Sequence, residues 1–334
     1  MDEYNSGPMP VETGSLPVPY KDRSTGLVIF GILTLLLGCL AGLFVPLLLF
    51  GQAASAKVKG ATIPFSAILP AIFIYGALSV VLVWLGIGSM MARRWARALM
   101  LILSWSWLVM GVFSLVFMGF YMPRILGGGI ARQPALPSAA MDVVMVITYM
   151  IFGFLFVILP VCWVFFYQSR HVKATCEARD PLTRWTDACP LPVLALCLWL
   201  SFSALIMLFL PTTTHGVLPF FGMFLTGLLG TMFYLAIAAV WSLAAWWLYK
   251  LDQRGWWLVL IAMCLFIAST VLTNAKHDVS EMYRLMQYPE AQIEQIQKTG
   301  LLTGSRMTWI TFFSGLPYLG YILYIKKFFR RQHD

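Results

Sequence analysis

Charge is scarce in this chain. Lys, Arg, Asp and Glu together make up 11% of its residues, against ~25% in an average soluble domain. Eight long stretches contain no Lys, Arg, Asp, Glu or His at all, and they fall into two groups of four separated by a basic loop. Ion-coupled transporters, proton relays and many intramembrane enzymes hold an ionisable side chain inside the bundle, and these stretches offer none. No nucleotide-binding loop, HExxH, paired catalytic carboxylate or Ser/His/Asp set stands where a site could form, so neither an enzyme nor a cofactor is expected.

What is present is apolar length. Hydrophobic residues make up 60% of the chain, more than a soluble fold of this size could hide. Runs of 18 or more apolar residues are what a hydrocarbon core ~30 Å thick demands of a spanning helix. The excess of 23 Lys and Arg over 14 Asp and Glu would suggest nucleic acid in a soluble protein. Here it reads as anchoring to anionic lipid, so the expected partners are the lipid bilayer and other membrane proteins, with no nucleic acid.

The charge-free pattern predicts spans at Gly26–Phe50, Phe65–Met90, Ala98–Phe120, Val143–Gln168, Pro190–Pro211, Val217–Tyr249, Trp256–Ala275 and Met307–Ile325. The expected fold is an all-α polytopic transmembrane helical bundle of eight spans, organised as two parallel four-helix repeats. A disordered tail covers 1–25, the first repeat 26–168 and a basic linker 169–189. The second repeat covers 190–325, with a helical loop at 276–306, and a basic tail follows at 326–334. The sixth run, 33 residues long, exceeds what a bilayer needs at 1.5 Å per residue. Its Trp246, Trp247 and Tyr249 end is expected to leave the core, because Trp and Tyr favour the interface.

Fifteen of the 23 Lys and Arg fall on the side that holds both termini and eight on the other. The positive-inside rule places both termini in the cytoplasm and the protein in a plasma (inner) membrane. Trp95, Trp185, Trp246, Trp247, Trp256 and Trp257 cluster at the same boundary. Ala54-Ser55-Ala56 resembles a signal-peptide cleavage site, but an apolar run of about 25 residues exceeds the ~7–15 of a signal core, so the first span is expected to be retained.

Internal repetition is the second organising signal. The starts of spans one to four precede those of spans five to eight by 164, 152, 158 and 164 residues. Arg93-Arg94-Trp95 aligns with Arg254-Gly255-Trp256, and Gly153 with Gly315. A repeat with an even number of spans gives parallel halves, related by an axis along the membrane normal. Gly31, Gly38 and Gly42 read as a close-packing seam inside the bundle rather than a dimer face. Pro70, Pro160 and Pro317 each free a carbonyl four residues upstream, and ordinary packing is the preferred account of them.

The remaining polar residues carry little chemistry. The span hydroxyls, among them Ser79, Ser104, Ser106, Thr148, Ser201, Thr231 and Ser242, are expected to bond backbone carbonyls or neighbouring helices. Cys39, Cys162, Cys197 and Cys264 read as small buried hydrophobes. His171, Cys176 and Cys189 are one ligand short of a zinc set. Gly127-Gly128-Gly129 reads as a flexible loop. His215, His277, Asp278 and Glu281 could converge on one side of the membrane as a zinc or acid/base cluster. A capping box of Asp278 and Glu281 explains the acids better. It would start a helix whose apolar face is Val279, Met282, Tyr283 and Met286, followed by a second short helix from Pro289 to Gly300.

Two functions fit these residues. The preferred one is a non-catalytic membrane component or assembly subunit. The alternative is a carrier or channel for an uncharged or lipid-like solute, with a pathway between the two halves.

Overall fold

The computed structural model describes residues 20–55, 65–129, 138–290, 293, 294, 297 and 304–330. Among the described residues the chain is a helical bundle in which seven helices are long and apolar enough to cross a membrane. In chain order they are α1 (Ser24–Ser55), α2 (Phe65–Met90), α3 (Arg94–Gly129), the α4–α5 rod (Ser138–Gly153 and Leu159–Gln168), α7 (Leu191–Thr214), α8 (Gly227–Tyr249) and α9 (Gln253–Lys276). Shorter elements are α6 (Arg170–Arg179), α10 (Val279–Leu285) and α12 (Lys327–Arg330). The last expected span is α11 (Gly304–Ile325), a continuous helix that is not among those seven.

The sixth span departs most from its expected form. Its first residues fold not as helix but as a hairpin, β1 (Leu218–Phe220) and β2 (Met223–Leu225), with Pro219 opposite Phe224. The helix behind it is 23 residues long, so the excess length is removed at the end opposite to Trp246 and Tyr249. Pro219, which lacks an N–H, and Gly222 at φ 89° are the physical reason. Gly127–Gly129 also departs from expectation, because α3 continues through all three. The predicted tail likewise shortens: Ser24 begins α1, and Tyr20–Arg23 lie on α6, where the Lys21 and Arg23 amides donate to His171 Nδ1 (3.3 Å) and Thr175 Oγ1 (3.1 Å). Most of the second short helix expected from Pro289 lies outside the described residues.

Pro160 shapes the fourth span. Without its N–H the α-helical ladder breaks, and a π-helical turn over Phe154–Ile158 joins α4 to α5, with the Leu159 amide donating to Phe154 O. The freed Phe156 carbonyl lies against Gly111 of α3, where a Cβ would collide with it. Gly31 and Gly38 seat α1 directly on α2, facing Gly86 and Val83, so the small-residue seam is used inside the chain.

Two separate cores result. Leu27, Leu85, Met100, Trp163 and Tyr167 are buried together in the first half; Val193, Ala244, Trp256, Val259 and Ile325 are buried together in the second. Between the halves, the Trp199 indole donates to Ser106 Oγ (2.9 Å), the Phe73 and Phe209 rings lie 4.9 Å apart, and Leu191 at the start of α7 packs against the first core.

Burial recurs in the two halves at fixed intervals. Leu27, Gly31, Thr34 and Gly38 of α1 are buried, as are Val193, Cys197, Leu200 and Ala204 of α7, 166 residues later. Leu82, Leu85, Gly86 and Ser89 of α2 match Trp241, Ala244, Ala245 and Leu248 of α8 at 159 residues. The interval of 159 continues through the next turn. Ala92 and Leu251 both take left-handed φ (52° and 56°). The amides after them, Arg93 and Asp252, reach back to Gly88 O (3.0 Å) and Trp247 O (2.9 Å) in the same helix-ending motif. Helices α3 and α9 then start at matching positions, with Met100 and Val259 fully buried. At this interval Ala96 rather than Arg94 falls opposite Gly255, two residues away from the Arg-Arg-Trp alignment. Gly153 and Gly315 also differ, since a Cβ on Gly153 would meet nothing and one on Gly315 would meet Ile267.

Candidate functional site

Both described chain ends, the linker and the two short turns gather at one end of the bundle. Tyr20–Arg23 contact α6, Tyr249 Oη donates to Trp185 O (3.0 Å), and Tyr321 Oη donates to Pro192 O (2.8 Å). Residues 169–189 are ordered around Asp180, which is 2% exposed. Its carboxylate accepts from Arg184 Nη2 (3.0 Å) and Nε (3.4 Å) and from the Arg94 amide at the start of α3 (3.4 Å), and pairs with Arg93 at 3.7 Å. The Arg184 hydrogen bonds, more than the other contacts, hold the Asp180 carboxyl below the usual carboxylate range.

Beside this hub lies a cavity of about 230 Å3, lined by the first turn of α3 (Arg94, Arg97), by α6 (Lys173, Cys176, Glu177) and by Thr186, Asp187 and Cys189 of the linker. Arg94 pairs loosely with Glu177 (3.7 Å) and Asp187 (3.5 Å), and Lys173 with Glu177 (3.8 Å). Arg97 Nε and Thr186 Oγ1 are buried without a hydrogen-bond partner. Burial pushes the Cys176 and Cys189 thiols up to about 11, so both stay neutral near pH 7. His171 Nδ1, the third member of the sequence-level set, is engaged by the Lys21 amide.

At the opposite end, the hairpin is clamped to α9 by residues on one helical face. The Phe221 and Gly222 amides donate to Ser269 Oγ and Thr273 Oγ1, both at 3.0 Å, and Ser269 Oγ donates to Pro219 O (3.2 Å). His277 continues the face, with Nδ1 2.8 Å from Glu281 Oε2 and Nε2 3.1 Å from Gly222 O. The expected capping box does not form: Asp278 precedes α10 as anticipated, but its carboxylate accepts from the Gly304 amide (3.0 Å), and Glu281 is taken by His277. His215 ends α7 in a left-handed conformation and its carbonyl accepts from Gly227. Among the described residues no three His, Cys, Asp or Glu side chains gather as a metal site.

Serving two acceptors requires both ring N–H groups of His277, hence the imidazolium. The Glu281 hydrogen bond and then that to Gly222 O raise its pKa above the ordinary histidine value, against Lys276. A group with a raised folded pKa contributes stability below the unfolded value and loses it as pH rises through the folded one. Hydrogen-exchange protection at Phe221 and Gly222 is therefore expected to fall as pH rises from the ordinary imidazole value of ~6.5 through the raised value of the folded state. In His277→Gln that fall should vanish; an unchanged profile would show that the clamp does not depend on the imidazolium.

Several span hydroxyls are occupied within their own helices, while Ser106 accepts from Trp199 of α7. Thr34, Ser104, Thr148, Ser201, Thr231 and Ser242 each donate to the carbonyl four residues earlier in their own helix, at 2.6–2.9 Å. What sequence reasoning missed is the cavity, whose signal lay in the i, i+3 spacing of Arg94 and Arg97 and in the Val172, Thr175 and Cys176 face of α6. Comparison with known proteins adds no assignment: no family model, no curated protein and no solved structure matches the chain.

Proposed function

We propose that the chain is a non-catalytic membrane component that assembles with other membrane proteins, built from two parallel four-span halves with both termini on the cytoplasmic face of the plasma (inner) membrane. The observation that carries this reading is the use of several span hydroxyls on their own helices, which leaves apolar faces turned outward. On α3 that face includes Val109, Val112, Phe113 and Val116, all exposed, and it suits lipid or another membrane helix rather than a water-filled path.

The eighth crossing is supported by α11, which runs antiparallel along the whole of α9. The Trp256 indole at the start of α9 donates to Ile322 O (2.7 Å), and Asn274 near its end donates to Thr311 Oγ1 (3.4 Å). At 1.5 Å per residue its 22 residues reach about 33 Å, enough to span. Duplication is supported by the burial register common to α1–α3 and α7–α9.

Gentle detergent extraction should yield a stoichiometric membrane-protein partner, and vesicles containing the purified chain should pass small uncharged solutes no faster than empty ones. Solute flux above that baseline, with no partner retained, would replace this reading with the carrier.

A further inference from the structure

The cavity beside Asp180 has an unbalanced charge. Three cations, Arg94, Arg97 and Lys173, face two carboxylates; Glu177 is already shared by Arg94 and Lys173, and Asp187 is taken by Arg94 and the Arg184 amide. Among the described residues the Arg97 side chain takes no ion pair or hydrogen bond. Its Nε is buried and orphaned, and so is the hydroxyl of Thr186, which is 2% exposed. Buried polar groups in native proteins are nearly always satisfied, and each exception calls for an absent partner. The partner that suits a guanidinium and a hydroxyl together is an oxyanion acceptor. At ~30 Å3 per water, a cavity of 230 Å3 holds about seven waters' worth of volume, ample for a phosphate group. The neutral thiols of Cys176 and Cys189 add no competing negative charge.

The geometry points to a phosphate-binding site in this cavity, in which Arg97 and Thr186 hold a phosphate ester or free phosphate while Arg94 and Lys173 supply surrounding positive charge. The site opens where the first turn of α3 meets the linker, the level at which a lipid headgroup would lie beside a spanning helix. A phospholipid headgroup and inorganic phosphate present the same chemistry. The lipid source rests on the membrane reading above and the free-ion source does not.

Native mass spectrometry of the detergent-solubilised full chain tests this with three probes: short-chain phosphatidylglycerol, inorganic phosphate and a short-chain diacylglycerol without phosphate. One phosphatidylglycerol per chain is expected, held about tenfold or more tighter than the diacylglycerol, as charge-assisted hydrogen bonds allow. Arg97→Gln should abolish that difference and the exposed Arg170→Gln should keep it. Thr186→Val removes an orphaned hydroxyl, so it should fold at least as stably as the parent and still bind phosphatidylglycerol several-fold more weakly, which covers the case of a misfolded Arg97 variant. Retention of inorganic phosphate alone, sensitive to Arg97 or Thr186, assigns the site to the free ion. Equal binding of phosphatidylglycerol and diacylglycerol with no phosphate retained, or binding indifferent to both Arg97→Gln and Thr186→Val, overturns the site.

Discussion

Asp180→Ala is expected to lower unfolding stability by about 3 kcal/mol, because it removes the single buried carboxylate that two arginines and the α3 amide share. The arginines set that figure toward the low end of what breaking a buried pair costs, since Arg93 and Arg184 are about a third exposed (36% and 34%) and recover some solvation. Arg184→Ala should cost only about 1 kcal/mol, leaving Asp180 with Arg93 and the amide. Thermal or detergent-titrated unfolding of the two variants checks the asymmetry; equal losses would mean that Asp180 is not the hub. Acid should act in the same direction. The folded Asp180 carboxyl lies below its ordinary value, so its contribution is present above the unfolded pKa and disappears as pH falls through the folded one.

Gly86→Leu should be at least as damaging. A Cβ at Gly86 would lie 2.8 Å from Gly31 O and 2.9 Å from the Leu35 amide nitrogen. Both are backbone atoms of α1, which cannot swing aside as a side chain can. Overpacking a tight contact costs about 1–3 kcal/mol, occasionally more, and a leucine against backbone belongs at the upper end. Gly76→Ala in the same helix faces open space and should be neutral or gain up to ~1 kcal/mol of helix propensity. If the two substitutions give similar unfolding curves, α1 and α2 are not in backbone contact at Gly31 and Gly86.

The helices themselves were legible because a bilayer imposes one rule, and charge-free length reads it directly. The α2 boundaries, Phe65 and Met90, agree with the structure to the residue. The hairpin at 218–225 was hidden because a short apolar run looks alike as strand or helix, although Pro219 and Phe221-Gly222 held the turn signal. The helix endings at Ala92 and Leu251 carried no glycine or asparagine to announce a left-handed residue. Without them the internal alignment rested on tryptophan and arginine identity, two positions away from the burial interval. On the site, Cys176 and Cys189 suggest only an incomplete zinc set in the sequence, which could not reveal that they wall a basic cavity. Arg97, Lys173 and Thr186 converge only after the linker folds back on α3.

The separation of the two cores has a consequence for biogenesis. Since the interior around Leu27, Leu85, Met100 and Trp163 draws on α7 through its first residue, Leu191, a nascent chain that has emerged just past the linker already owns most of what that interior requires. The second set, from Val193 to Phe329, can then assemble beside a finished neighbour instead of rescuing an unfinished one. A pause in insertion just after Leu191 would therefore leave little unfinished interior exposed to proteases.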